Sequence, residues 1–322
     1  MRLHLRHRLS LNKTIATRGA TGMHNANNLN NLSAEELLDK AYNSDDDAEI
    51  AELVNQALEL EPDNPEALLL LSDITQEPEE RLSILLSTLD NLHDALHDLN
   101  ISHNLYTEHE LGVVYLALMQ RAAFTLFEVG DDEQAMEFIE QLLNYDIDDG
   151  GAVKSLYYRI LIERGDWQRI LDETLNDDNH ELGWAYARVA AAFMLKDLNK
   201  ANKYFWEVLM MSPNVPFYML GYFAEPIDEN LTQELNDFNF AVLYADVWAL
   251  SRDLLNWFSR SVILFGLLSG RFAGQEQEMR EILKSLKGEA DYKKLSNVIK
   301  LRRINPKNDV ELIETIYTEL KK

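Results

Sequence analysis

Hydrophobic residues recur along most of the chain at three- and four-residue spacing, the period of a helix with one face in a core. From residue 33 onward the pattern breaks into runs, each bounded by a capping or breaking residue. Ser33, with Glu36 three positions later, predicts a capping box opening a short helix over 34–42. The acids at 45–47 then lead into a helix over 48–60, and Pro65 opens another over 65–74 with Leu68, Leu71 and Ile74 facing inward. A longer helix over 78–100 carries the stripe Leu82, Leu85, Leu86, Leu89, Leu92, Leu96 and Leu99. Residues 108–129 are apolar almost all round, as in a helix covered on several sides. Helical runs over 132–144, 152–164, 167–176, 181–195 and 198–210 follow. The pattern is all-α, and 13 Gly and 7 Pro are too few breakers for an all-β fold.

The ends of these runs repeat. Gly130-Asp131, Gly165-Asp166 and Lys196-Asp197 each close one helix and precede another, 35 and 31 residues apart. Ala57 with Pro62-Asp63-Asn64, Ala135 with Ile139, and Ala201 with Phe205 and Pro213 stand where the tetratricopeptide repeat, of roughly 34 residues, places a small residue, an apolar residue four later and a closing Pro. The chain resembles that family. The resemblance implies a TPR-like right-handed α-solenoid of helix pairs, whose first helices line a concave groove. Trp184-Ala185-Tyr186-Ala187-Arg188 and Ser212-Pro213-Asn214-Val215-Pro216-Phe217-Tyr218-Met219-Leu220-Gly221 sharpen it. Together with the Ala57–Asn64 turn, they are similar to a bacterial subgroup related to the suppressor-of-tumorigenicity-seven proteins, over about residues 48–258. In that subgroup an aromatic helix like 240–257 closes the array. The family's Trp and Gly signatures are largely absent from the first helices. The expected layout is a disordered segment over 1–32, repeats over 33–224, capping helices over 225–274 and a basic helical tail over 275–322. Gly266, Gly270 and Gly274 should weaken the apolar run 254–272 as a helix, and that run reads as a buried cap, since Asn256 and Arg260 interrupt it.

Charge divides the chain as well. Residues 1–23 carry five Lys/Arg and no acid, and residues 271–322 carry twelve Lys/Arg against nine Asp/Glu. The body between them holds the remaining thirteen bases against forty-six acids. Such a body repels phosphate backbones, so nucleic acid is an expected partner only through the tail, where Lys293, Lys294, Lys300, Arg302 and Arg303 cluster. The first 23 residues have the composition of a mitochondrial transit peptide. A start placed too early, with Met23 the first residue, also fits, and the abrupt change of composition there favours it. The absence of cysteine suits a reducing compartment, and the cytoplasm is the expected location.

Residues able to carry chemistry are scarce. His93 and His97 lie four apart beside Asp94 and Asp98, a spacing that can share a metal, but no Glu sits inside the pair as in a zinc protease, and no metal is expected. There is no phosphate loop and no nucleophile elbow, so neither a cofactor nor catalysis is expected. More pointed are the bases within the acidic body. Arg121, Lys154, Arg159 and Arg188 fall on first helices, with Tyr158 and Trp184 beside them. They could grip a carboxylate or acidic peptide, with the aromatic rings supplying contact area. Alternatively each Arg neutralises a neighbouring acid, and Arg188 aligns with a core-facing position. The expected function is a protein-binding scaffold or adaptor, with an RNA- or ribosome-associated factor using the tail as the alternative.

Overall fold

Ser33 opens the first helix as its spacing from Glu36 predicts: its side chain accepts from the Glu36 N–H at 3.2 Å while Glu36 accepts from the Ser33 N–H at 2.9 Å. The computed structural model describes residues 32–44, 46–145, 151–176, 181–227, 232–287 and 293–297. Among these the regular structure is entirely helical: fourteen α-helices and two 3-10 helices. Residues 1–31 of the segment expected to be disordered, over 1–32, and the bases Lys300, Arg302 and Arg303 lie outside the described residues. Contacts divide the chain into two compact units, one up to Tyr157 and one from Tyr158.

The N-terminal unit holds α1 (Ala34–Asn43), α2 (Asp47–Leu60), α3 (Pro65–Ile74), α4 (Pro78–Asp98), a 3-10 helix (His103–Glu108), α5 (Glu110–Glu128), α6 (Asp132–Asn144) and the start of α7 (Ala152–Arg164). Each of α1 to α5 packs on the next, and α3 also packs on α5. Ala57 and Ala67 are sealed among Leu37, Leu53, Val54 and Leu70, so α2 and α3 approach closely. The inward face of α3 differs from expectation. Ala67, Leu69, Leu70 and Ser72 are buried, while Leu71 and Ile74 pack on the core from its edge, because α2, α4 and α5 all cover this helix. Of the α4 stripe, Leu85, Leu89, Leu92 and Leu96 are buried, but Leu99 is 57% exposed. The helix ends at Asp98, and Asn100 takes φ 53°, turning the chain before Leu99 can reach the core. Among the described residues α5 is the helix long and apolar enough to cross a membrane, with a mean hydropathy of 1.3, and much of its surface is covered within the unit.

The repeated helix ends are one device. Gly130, Gly165 and Lys196 all take left-handed φ, at 83°, 70° and 67°, and the aspartate after each donates its N–H back to the preceding helix, to Leu126, Leu161 and Ala192. Asp131 and Asp197 then cap the next helix, accepting from the Gln134 and Lys200 N–H groups at 3.1 and 3.0 Å. Glycine adopts this backbone freely, whereas Lys196 holds it with a side chain.

The C-terminal unit contains the rest of α7, α8 (Trp167–Asn176), α9 (Leu182–Met194), α10 (Leu198–Met211), α11 (Val215–Met219), α12 (Thr232–Tyr244), a 3-10 helix (Ala245–Leu250), α13 (Arg252–Ser269) and α14 (Glu276–Lys287). All five tryptophans of the chain belong to it. Its core is aromatic: the Trp248 and Phe258 rings stack 3.8 Å apart, and Phe205, Phe217 and Phe265 are sealed around them. Within 225–274, where capping helices are expected, lie α12, the 3-10 helix and α13. Gly266 does not weaken α13. It sits mid-helix where a Cβ would stand 2.8 Å from Phe217 Cε1 and collide with Phe272, so its lack of a side chain admits two buried rings. Gly270, at φ 75°, ends the helix.

Candidate functional site

The arginines nominated from the sequence lie on the helices expected, and each is already engaged. Arg121, on α5, forms a two-pronged pair with Asp73 of α3, Nε to Oδ1 and Nη2 to Oδ2, both at 3.0 Å. Its Nη1 is buried and has no hydrogen-bond partner among the described residues. Arg159, on α7, is only 2% exposed. It pairs with Glu163 on its own helix, donates to both carboxylate oxygens of Asp246 at 2.9 Å and gives its Nε–H to the Leu243 carbonyl at 3.1 Å. Arg188, on α9, lies between two rings, 4.1 Å from the Trp184 centroid and 3.9 Å from that of Tyr204, with Glu207 at 3.8 Å. The Trp184 indole N–H donates to the Thr174 carbonyl at 3.2 Å. Tyr158 is buried and Lys154 half-buried.

The fork of Arg121, the ion pairs of Arg159 and the ring sandwich of Arg188 all use within the fold the chemistry that a carboxylate ligand would require. Trp184 supplies its face to Arg188 itself. The same holds for Arg81, whose Nη1 meets Glu128 at 2.8 Å. Intramolecular pairing therefore accounts for these positions.

A different arrangement surrounds Arg121. The Tyr42 hydroxyl, on α1, lies beside the Glu66 carboxylate on α3, within electrostatic reach of Asp73 and Arg121. Burial of the hydroxyl, with the Glu66 charge beside it, raises the Tyr42 pKa well above the ordinary tyrosine value, although the residue as a whole is 47% exposed. Burial also raises the pKa of Glu66 against the lowering influence of the nearby Tyr42 hydroxyl, and Asp39, Glu110 and Glu35 add like-charge repulsion. Three alternate helices thus bring polar groups within electrostatic reach of one another: Glu35, Asp39 and Tyr42 from α1, Glu66 and Asp73 from α3, Glu110 and Arg121 from α5. Carboxylates dominate this face, and its one guanidinium is neutralised by Asp73. Sequence spacing could not show this face, because its members meet only through packing of alternate helices.

A second group went unnoticed. The Tyr106 ring lies 5.6 Å from that of Tyr145, nearly parallel to it, and edge-on to Tyr115 at 5.4 Å and to His103 at 5.2 Å. His93 reaches Tyr115 at 6.2 Å. Burial, together with Tyr145, Tyr106 and Asp90, pushes the Tyr115 pKa up to about 12. A signal for part of this was present: Leu111-Gly112-x-x-Tyr115 recurs as Leu182-Gly183-x-x-Tyr186 at the start of α9. Gly112 admits the Tyr106 backbone, and the Gly183 carbonyl faces the Tyr244 hydroxyl at 3.4 Å. As for the histidine pair, the His97 ring lies 3.9 Å from Asp98 on the surface. Among the described residues no three His, Asp or Glu side chains are grouped to hold a metal. No family model matches the chain, and neither does any curated protein or solved structure.

Proposed function

We propose that this chain is a protein-binding scaffold of the cytoplasm, built as tetratricopeptide-like helix pairs, that binds a basic segment of a partner along its first helices. The observation that carries the reading is the acidic face of α1, α3 and α5. Arg121 of α5 is paired there with Asp73 of α3, Tyr42 of α1 lies beside Glu66 of α3, and the other charges around them, Glu35, Asp39 and Glu110, are all acidic. The recurrent Leu-Gly-x-x-Tyr at the start of α5 and α9 supports the family resemblance, since it is part of the repeat's first-helix pattern. A surface rich in carboxylates selects against phosphate and acidic peptides and attracts Lys/Arg-bearing ones, with a rate that falls as salt rises. Binding, rather than catalysis, is the role this arrangement suits.

Charge reversal tests it. Glu35, Asp39 and Glu110 are exposed, so Glu35→Lys, Asp39→Lys and Glu110→Lys together should leave the core intact. Capture from the native cell with the wild-type chain and this variant, followed by mass spectrometry, should show basic partners lost from the variant. An unchanged set of partners refutes the reading. For the alternative, an RNA-associated tail, salt-sensitive RNA binding lost on deletion of residues 275–322 would be the corresponding result. The described part of that tail includes α14, which packs on α13 through buried Met279 and Leu283.

A further inference from the structure

The tyrosine and histidine rings form a second surface of the N-terminal unit, on another side of α5. At 3.6 residues per turn Tyr115 stands about 140° around that helix from Glu110 and about 120° from Arg121, the two α5 members of the acidic face. The rings gather where α4 and α6 end and α5 begins. Tyr106 is sealed at the centre, Tyr115 and Tyr145 are half-buried, and His103 is exposed, so one side of the stack meets solvent.

Leu99 and Leu105 flank His103 in the chain, the first 57% and the second 43% exposed. The backbone holds them in place. Ile101 donates its N–H to the Leu96 carbonyl at 3.1 Å and Leu105 donates to Ser102 at 2.9 Å, while Gly112 clamps Tyr106 against α5. Two exposed leucines on a backbone-bonded segment that also carries His103 and Tyr106 provide contact area that loses little conformational freedom on binding. Along the adjoining turns of α4, exposed Asp90, Asp94 and Asp98 recur at four-residue spacing and make one stripe, and the Asp90 charge reaches the Tyr115 hydroxyl.

We infer that this surface docks an amphipathic segment of a protein partner, with its aliphatic side chains on Leu99, Leu105 and the tyrosine rings and its Lys/Arg side chains along Asp90, Asp94 and Asp98. The aspartate stripe decides the class of occupant. It repels nucleic acid and acidic membrane surfaces, and pairing with a second copy of this chain would bring two such stripes together. A basic flank next to an apolar anchor satisfies both halves of the patch.

The test is a titration of the full chain against a labelled synthetic helical peptide with leucines on one face and lysines on the other, read by fluorescence anisotropy. Leu99→Ser with Leu105→Ser should weaken binding about tenfold, as should Asp94→Lys with Asp98→Lys, whereas Glu35→Lys with Asp39→Lys should change it less than about twofold. All six side chains are exposed, and circular dichroism would verify that each variant keeps its helices. No binding to the wild-type chain overturns the inference, as does retained affinity in the leucine pair. Equal weakening by all three pairs also overturns it, because attraction is then set by net charge or by the first-helix face. Self-association of the wild-type chain that the leucine pair abolishes, or peptide binding seen only after removal of residues 1–31, would give the surface to another occupant and overturn it as well. The third pair belongs to the face proposed above, so failure of that reading and failure of this one give different results.

Discussion

Gly112→Ala should destabilise the N-terminal unit, although alanine is the better helix former. A Cβ at this position would stand 2.6 Å from the Tyr106 Cα and 2.8 Å from its carbonyl carbon, and would collide with the carbonyl oxygen. The obstacle is backbone, so relief requires the whole 3-10 segment to move away from α5. Overpacking of this kind costs about 1–3 kcal/mol. The displaced Tyr106 also loosens its contacts with Tyr115, Tyr145 and His103, pairs worth about 0.5–1.5 kcal/mol each when fully formed. Against this, alanine returns roughly 0.5–1 kcal/mol of helix propensity. The clash wins, with a net loss of about 2 kcal/mol, or a fall of about 5–10 °C in the melting transition of this unit. Far-ultraviolet circular dichroism measures the transition, and the near-ultraviolet tyrosine signal measures the ring stack. Gly130→Ala is the comparison: nothing lies within 4 Å of its Cβ, but φ is 83°, so it should cost about 1 kcal/mol and leave the tyrosine signal unchanged. A Gly112→Ala chain melting at or above the wild-type temperature would refute the close approach, since propensity alone would then be acting.

Arg159→Ala should cost about 3 kcal/mol, because it empties a buried site and abandons the Leu243 carbonyl, whereas Asp246→Asn, at a side chain 71% exposed, should cost under about 1 kcal/mol; comparable losses in denaturant melts would contradict this asymmetry. Arg188→Lys should lose about 1 kcal/mol despite keeping the charge, since a planar guanidinium is what fits between the Trp184 and Tyr204 rings, and an unchanged melting temperature would show the stacking to be idle. The folded-state pKa of Glu66 lies above its ordinary value of 4.5, so its ionised form costs stability at neutral pH, and that cost shrinks as pH falls through the raised folded value. Glu66→Gln should therefore raise the melting temperature by about 1–2 °C at pH 7 and match wild type below 4.5. A variant less stable at pH 7 would reverse the sign of the reasoning.

Helix identity was legible because periodicity and capping are local. Pro65 to Ile74, Asp132 to Asn144 and Trp167 to Asn176 begin and end where the residues predict. What failed depends on neighbours distant in sequence. Leu99 continues the α4 stripe perfectly, yet the stripe outlasts the partners that could cover it. Gly266 read as a weak point because its propensity is local, while the two rings it admits come from residues 217 and 272. The arginines were located correctly, but a charge gives no sign of whether its partner lies inside or outside the fold. Arg159 meets Asp246, 87 positions away, and only packing could reveal that. The ring stack was missed for a related reason: Tyr106, Tyr115 and Tyr145 belong to three separate elements, and only Leu-Gly-x-x-Tyr betrayed any of it.

The confinement of all five tryptophans to residues beyond Tyr157 gives the chain two intrinsic optical reporters. Indole emission, excited at the red edge where tyrosine no longer absorbs, registers only the C-terminal unit. Its stacked Trp248 and buried Trp206 should shift to longer wavelength when that unit opens. Far-ultraviolet dichroism registers both units, so a difference between the two traces isolates the N-terminal one. Cooperative or separate melting of the two halves can therefore be distinguished in the unlabelled wild-type protein, with no substitution that would itself perturb the balance.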